Sequence, residues 1–328
     1  MKKFSSIFSE EIREYIDLKR SMGFKLAGIE MNLGALDRFF KDAGIDEKKL
    51  SKKVVDSWCQ KRSYESNRNQ HFRISLLRGL TLFLKESGYE TYVPPKGMGR
   101  SNRTQYAAHI YSRDELKRFF EAIDELPSLP TKCPYRHLVL PLYFRILYST
   151  GMRLSELRLA KVRDFNLRDG YITIHGGKNN KDRIVPLHPK LLSRCEDLKK
   201  ELHQESSSDE FFLFYRPGVP MSALYLYGNF RRALEKAGIP HTGKGPRIHD
   251  FRHTYCVRLL EKWVKEKKDL LAWLPYMRTA LGHESFYQTA YYLKLTSSMF
   301  PEIQRNLKEA FPNIIEELSS EGNHADFY

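Results

Sequence analysis

Apolar residues recur through the first hundred positions at the three- and four-residue spacing of a buried helix face. Leu33, Leu36, Phe39 and Phe40 form one stripe, and Ile74, Leu77, Leu80 and Leu84 form another. Between them Ser51 stands where an N-cap belongs, ahead of Val54, Val55 and Trp58. Residues 93–104, VPPKGMGRSNRT, break the pattern with two prolines, two glycines and three basic side chains, the composition of a linker. Beyond it, Ser112 and Glu115 have capping-box spacing ahead of Leu116, Phe119, Phe120 and Ile123. A second apolar helix is predicted from about His137 to Tyr148, then a turn and helix within STGMRLSELRLAKVRDF. Two β-like runs, Tyr171–His175 and Arg183–Pro186, flank the polar turn GGKNNKD and predict a hairpin. Helices are expected at 189–202, 222–237, 248–264, 270–281, 286–294 and 302–310. The run EKWVKEKK at 261–268 reads either as an extension of one helix or as an insertion.

The pattern therefore predicts a mainly α chain with a small β-sheet, an α+β protein. Its expected parts are a helical domain over 1–92, a basic linker over 93–108, a second domain over 109–300, and a helix with a tail over 301–328. In that last segment Ile303, Leu307 and Ala310 repeat at helical spacing.

Charge adds a partner to this picture. The 328 residues carry 55 Lys and Arg against 40 Asp and Glu, a net of +15, of which residues 1–107 hold +8. A surplus spread over both halves suits a polyanion that touches both, with nucleic acid the commonest. Basic side chains lie between the N-terminal apolar stripes; Arg68, Arg73 and Arg78, with Arg100 and Arg103 in the linker and Lys181 in the hairpin, are the candidate phosphate contacts. The last 28 residues reverse the balance, six acids to two bases, and are expected to contact protein. Cys59, Cys133, Cys195 and Cys256 form no CxxC pair and read as free thiols of a reducing compartment. No apolar run has the length of a signal peptide or a membrane span, so a cytoplasmic protein is expected.

Candidate chemistry is concentrated in the second half. Taken singly, Arg153 reads as a surface arginine, Lys178 as a solvated hairpin lysine, His249 and Arg252 as a helix-surface pair, and His283 as a residue following a helix end. Their order is more telling. The segments Thr150-Gly151-Met152-Arg153-Leu154-Ser155-Glu156-Leu157, Gly177-Lys178 through Arg183 to Leu187, His249-Asp250-Phe251-Arg252-His253-Thr254, Leu281-Gly282-His283 and Thr289-Ala290-Tyr291-Tyr292-Leu293 follow one another. In order and spacing they resemble the tyrosine recombinase (phage integrase) family, closely over about 110–295 and only in topology further upstream, where the helical region resembles the family's core-binding domain.

The resemblance implies that Arg153 and Arg252 clamp a scissile DNA phosphate and that Lys178, with Lys181 as competitor, protonates the leaving 5′-oxygen. It also implies that His249 accepts a proton, that His283 hydrogen-bonds the phosphate, and that Glu156 orients the first arginine. Guanidinium forks suit such chemistry because they give paired hydrogen bonds to charge that grows in the transition state. Tyr292 lies nine residues after His283, the family's nucleophile spacing. Its neighbour Tyr291 points about 100° away on a helix, so only one can face the phosphate. The implied reaction is site-specific recombination through a 3′-phosphotyrosyl link and a Holliday junction, for integration, excision or transposition of a mobile element. A type IB topoisomerase, dimer resolution and a catalytically silent DNA-binding protein are the alternatives.

The expected partners are duplex DNA with specific core sites and three further copies in a tetramer that exchanges C-terminal segments. A second recombinase or an accessory protein is a further expectation, all in a bacterial cytoplasm or nucleoid. No separate arm-binding domain is expected before residue 1. No cofactor and no metal are expected. His241, His249 and His253 lack a partner cluster for zinc, and Gly177-Lys178 lacks the Ser or Thr and the upstream glycine of a P-loop.

Overall fold

The computed structural model describes residues 4–24, 27–99, 107–177, 182–242, 245–283 and 286–297. The chain divides into two compact units, Met1–Thr104 and Gln105–Tyr328.

The first unit holds four helices, α1 (Ser9–Ser21), α2 (Ala27–Asp42), α3 (Lys52–Cys59) and α4 (Asn67–Glu86). Helix α4 is the hub and packs against the other three. The two apolar stripes meet there: Leu33, Leu36, Phe40, Leu77, Leu80 and Leu84 are buried, with Phe8 and Ile12 of the N-terminal segment completing the core. Ser51 and Ser66 cap α3 and α4 by accepting from the backbone N–H three residues on, meeting donors that a helix start leaves unpaired. The Pro/Gly-rich stretch is docked for part of its length. Met98 packs on this core, and Arg78 of α4 donates to the Pro94 carbonyl.

The second unit is larger. Helices α5 (Arg113–Asp124), α6 (Arg136–Thr150), α7 (Leu154–Arg158), α8 (Pro189–Leu202) and α9 (Ala223–Lys236) precede α10 (Asp250–Lys265), α11 (Leu270–Leu281) and α12 (Phe286–Ser297). The capping box of Ser112 and Glu115 forms with both of its hydrogen bonds. Phe251 of α10 is fully buried in an aromatic cluster with Tyr111, Phe119, Phe144 and Phe230. Strands β1 (Phe165–Asn166), β2 (Tyr171–Ile174) and β3 (Arg183–Pro186) form one antiparallel sheet in that order. The β2–β3 register runs from Tyr171↔Pro186 to Ile174↔Arg183.

Two short elements were not anticipated: β1, and a second hairpin of β4 (Phe214–Arg216) and β5 (Val219–Pro220). The run EKWVKEKK proves to be the end of α10 and the turn after it, where Lys267 adopts a left-handed φ of 52°. The whole is mainly α with small antiparallel sheets. Among the described residues no helix is long and apolar enough to cross a membrane. The four cysteines are free and buried.

Candidate active site

Three turns bring the charged residues of the second unit together. Gly151 ends α6 in the left-handed conformation, φ 64°, and a Cβ there would lie 2.7 Å from the Tyr255 ring, so only glycine fits. The next turn makes Arg153 the N-cap of α7. Glu156, three residues on, accepts from the Arg153 backbone N–H at 2.7 Å and from its Nη1 at 2.8 Å. Gly282 ends α11 with the same left-handed geometry, φ 64°, and its carbonyl accepts from Arg153 Nη2 at 3.1 Å.

Arg252, on the first turns of α10, is 1% exposed. Its Nη1 donates to the Gly151 carbonyl at 2.6 Å, and its Nη2 to the Leu281 carbonyl and to His283 Nε2, both at 2.8 Å. A guanidinium can only donate, so His283 Nε2 accepts, and its proton sits on Nδ1, which faces Thr289 Oγ1 at 3.0 Å. His283 is thereby held neutral. Burial, then the cations of Arg252, Arg153 and Arg183, lower its pKa to about 2. Burial and Arg252 likewise lower His253 to about 3. His249 is pushed well below the ordinary histidine value by burial and its neighbour His253, whose ring lies 4.9 Å away edge-on.

Tyr292 is fully buried on α12. Its ring stacks on His283, 5.9 Å between centroids and 8° from parallel, and its phenol adjoins Arg252 and the Cys256 thiol. Burial raises its pKa, with Arg252 opposing. Tyr291 is only partly buried; both tyrosine rings lie near His253, Tyr292 at 5.5 Å and Tyr291 at 5.8 Å. Arg153, Glu156, Arg252, His283 and Tyr292 thus form one linked cluster, with His249 at its edge.

Arg183, at the start of β3, joins this cluster although the sequence singled out only its neighbours. It donates to both carboxylate oxygens of Glu156, at 2.9 and 2.7 Å, and its Nε to the Ala280 carbonyl at 2.9 Å. Burial alone would raise the Glu156 pKa; Arg183 and then Arg153 outweigh it and hold the group at about 2. Thr289 and His253 were also missed as neighbours of the cluster. Each lies inside a quoted motif, but nothing in spacing marks either as a partner.

Lys178 and Lys181 lie outside the described residues, as do Arg100, Arg103 and the 301–328 segment. At the root of their hairpin, Asp182 accepts from the Gly176 N–H at 2.7 Å and pairs with His175 at 3.0 Å.

One candidate DNA contact of the first unit is corrected. Arg73 is buried: its guanidinium donates to both oxygens of Glu65 at 2.8 Å and to the Trp58 and Gln60 carbonyls, so no donor edge remains for a phosphate. Arg78 is half-buried and donates through one Nη to the Pro94 carbonyl. Arg68 is exposed on the first turn of α4. Among the described residues no group of three His, Cys, Asp or Glu side chains is placed to hold a metal ion.

Known proteins resemble this chain in sequence and in fold. The family model described as the phage integrase family matches residues 110–299. A Sinorhizobium fredii protein named as an integrase/recombinase, y4rB, is 25% identical over 92% of this chain and 98% of the relative. The tyrosine recombinase XerA of Thermococcus kodakarensis is 31% identical over 64% of each chain. In fold, the XerH site-specific recombinase bound to difH substrate superposes with a TM-score of 0.62 at 20% identity, covering 89% of this chain and 88% of that one. A lambda integrase bound to a core site gives 0.59 at 16% identity, covering 86% and 94%. The match spans more than half of the chain and all of the cluster, so the chain belongs to the phage integrase family and is a tyrosine-type site-specific recombinase.

Proposed function

We propose that Tyr292 is the nucleophile and that the chain cuts and rejoins duplex DNA at specific core sites. The observation that carries this reading is the packing of Tyr292 on His283 while His283 and the Tyr292 phenol both adjoin Arg252. A phosphate held by Arg252 would therefore lie beside α12, the helix that carries this tyrosine.

The Tyr292 oxygen attacks the phosphorus and forms a 3′-phosphotyrosyl bond as the bond to the 5′-oxygen breaks. Arg153 and Arg252 hold the non-bridging oxygens, where negative charge grows. His249, at the edge of the cluster, takes the phenol proton. Lys178 delivers a proton to the leaving 5′-oxygen, and His283 acts on the phosphate through Arg252, whose Nη2 its Nε2 holds in place. The phosphotyrosyl bond keeps the energy of the broken backbone bond, so rejoining uses no nucleotide and no cofactor. Because Tyr292 is fully buried in this state, α12 must shift for its phenol to meet DNA.

Further parts of the reading are the helical first unit as a second DNA-binding domain and four copies acting on two sites. The 301–328 segment would contact a neighbouring copy, in a bacterial cytoplasm. Relatives named as integrase/recombinase, and the likeness to a Tn1549 transposon integrase (TM-score 0.56), favour a mobile element as the setting.

The decisive experiment uses a suicide duplex nicked near its scissile site. Tyr292→Phe is expected to lose the covalent adduct and keep DNA binding, while Tyr291→Phe keeps the adduct. An adduct of normal yield in Tyr292→Phe overturns the assignment.

A further inference from the structure

One buried carboxylate joins α7, β3 and the end of α11. Arg183 holds both oxygens of Glu156, and these two side chains are only 6% and 7% exposed. Arg153 reaches the same carboxylate with a single Nη and turns its other Nη to the Gly282 carbonyl. Arg183 is itself fixed from the far side by the Ala280 carbonyl. Gly282 leaves the room this needs, since a Cβ there would lie 3.1 Å from Arg183 Nη1.

We infer that Arg183 is a positioning residue: by occupying both oxygens of Glu156 it stops that carboxylate from capturing Arg153, and so keeps Arg153 aimed at the scissile phosphate. The inference rests on the reading of Arg153 as a phosphate clamp.

The physical reason is competition for one fork. A carboxylate and a guanidinium left alone in a buried site form a two-bond pair, the strongest arrangement open to them. Arg153 so paired would offer the phosphate neither its charge nor a free edge. Arg183 prevents this twice over. It takes the two-bond geometry for itself, and its charge offsets that of Glu156, leaving Arg153 with net positive charge for the incoming anion. A lysine cannot do the first of these, because its ammonium has no fork. The same shared carboxylate explains why Glu156 tolerates burial as an anion: two guanidiniums and the Arg153 backbone N–H satisfy it.

The test is single-turnover cleavage of the nicked suicide duplex by the full chain. One duplex carries an ordinary scissile phosphate and the other a neutral methylphosphonate there. Arg183→Met is expected to slow cleavage of the phosphate by about 10- to 100-fold, the scale of a misaimed catalytic group. On the methylphosphonate, which has less charge to clamp, the deficit should shrink to about threefold or less, as it should for Arg153→Ala. Adding Glu156→Gln to Arg183→Met should restore at least about fivefold, because the capturing charge is gone. Arg183→Lys should keep most of the deficit, and it carries the same two-substrate comparison if Arg183→Met fails to fold.

Equal deficits on both duplexes, with no recovery from Glu156→Gln, would show an ion pair that only holds the fold and would overturn the inference. A deficit erased instead by a sulfur leaving group at the 5′ position would place the action of Arg183 on leaving-group protonation and overturn it equally. If Arg153→Ala is no less defective on the methylphosphonate, the clamp reading itself fails, an outcome separate from the other two.

Discussion

Acid should unfold the second unit of this protein well before its carboxylates are protonated. His253 and His283 are both 6% exposed and both neutral in the folded state, with pKa values lowered to about 3 and about 2. For His283 the cause is visible in the hydrogen bonds: Nε2 accepts from Arg252, so a proton added there would meet a guanidinium 2.8 Å away. An unfolded chain carries the same histidines at about 6.5. Below that value the unfolded state binds protons that the folded state refuses, so stability is fully present above pH 6.5 and declines as pH falls. At pH 5 each group costs about 2 kcal/mol, or about 4 kcal/mol together, a large share of the 5–15 kcal/mol of a typical domain. Glu156 has the opposite bookkeeping: its depressed pKa of about 2 contributes stability that is lost only as pH falls below about 4.5, so it does not blur the window above pH 5. Urea unfolding followed by circular dichroism at pH 7.5, 6.5, 5.5 and 5.0, at fixed ionic strength, reads the effect. His253 and His283 alone give a limiting slope of about 2.7 kcal/mol per pH unit, His249 and His203 add to it in the same direction, and His283→Gln should lower it by about 1.4 kcal/mol per pH unit. A stability that changes by less than about 1 kcal/mol over this range, or a slope unaltered in His283→Gln, would refute the reasoning.

Other consequences concern single side chains. Arg73→Met should destabilise the first unit by about 3–5 kcal/mol in urea titrations, because it strands buried Glu65, and should leave the salt dependence of DNA binding unchanged. Arg68→Ala should do the reverse, with unaltered melting and a log–log salt slope smaller by about one. Gly282→Ala should slow strand cleavage by crowding Arg183; both it and Gly151→Ala should lower the melting temperature because each glycine has φ 64°, Gly151→Ala the more, since its Cβ would overlap the Tyr255 ring at 2.7 Å.

What the sequence revealed depended on how local the cause was. Helix faces, the Ser112 cap and the β2–β3 hairpin follow from spacing within a few residues, and all three formed. The linear order of Arg153, Arg252, His283 and Tyr292 was enough to suggest one site, and the fold places these four together. Arg73 misled and Arg183 went unassigned for a shared reason: only the tertiary fold brings Glu65 to one and Glu156 to the other, and spacing within the sequence marks neither pair. The β4–β5 hairpin did carry a local signal, Pro217-Gly218 between apolar runs, but its strands of three and two residues are too short for alternation to show. Strand β1 has only two residues and exists because β2 offers it an edge.

Arg252 points to how the site responds to an anion. Arg252 donates to two carbonyls and a neutral histidine, none of them a counter-charge. The single carboxylate of the cluster, Glu156, is taken by Arg183 and Arg153. With three guanidiniums against one carboxylate the cluster carries a net charge of about +2, and buried charge without compensation is costly. A doubly charged tetrahedral anion supplies what is lacking, so sulfate should stabilise the folded protein beyond its general salting effect. At a sulfate concentration ten times its dissociation constant the gain is about 1.4 kcal/mol, or about 3–6 °C in melting temperature for a unit of this size. The comparison is sodium sulfate against sodium chloride at equal ionic strength, in wild type and in Arg252→Met. General effects of sulfate on burial act on both proteins alike, so the site's share is the difference between them. An equal rise in both would mean that Arg252 does not face the anion, and would remove the electrostatic argument for placing the scissile phosphate beside Tyr292.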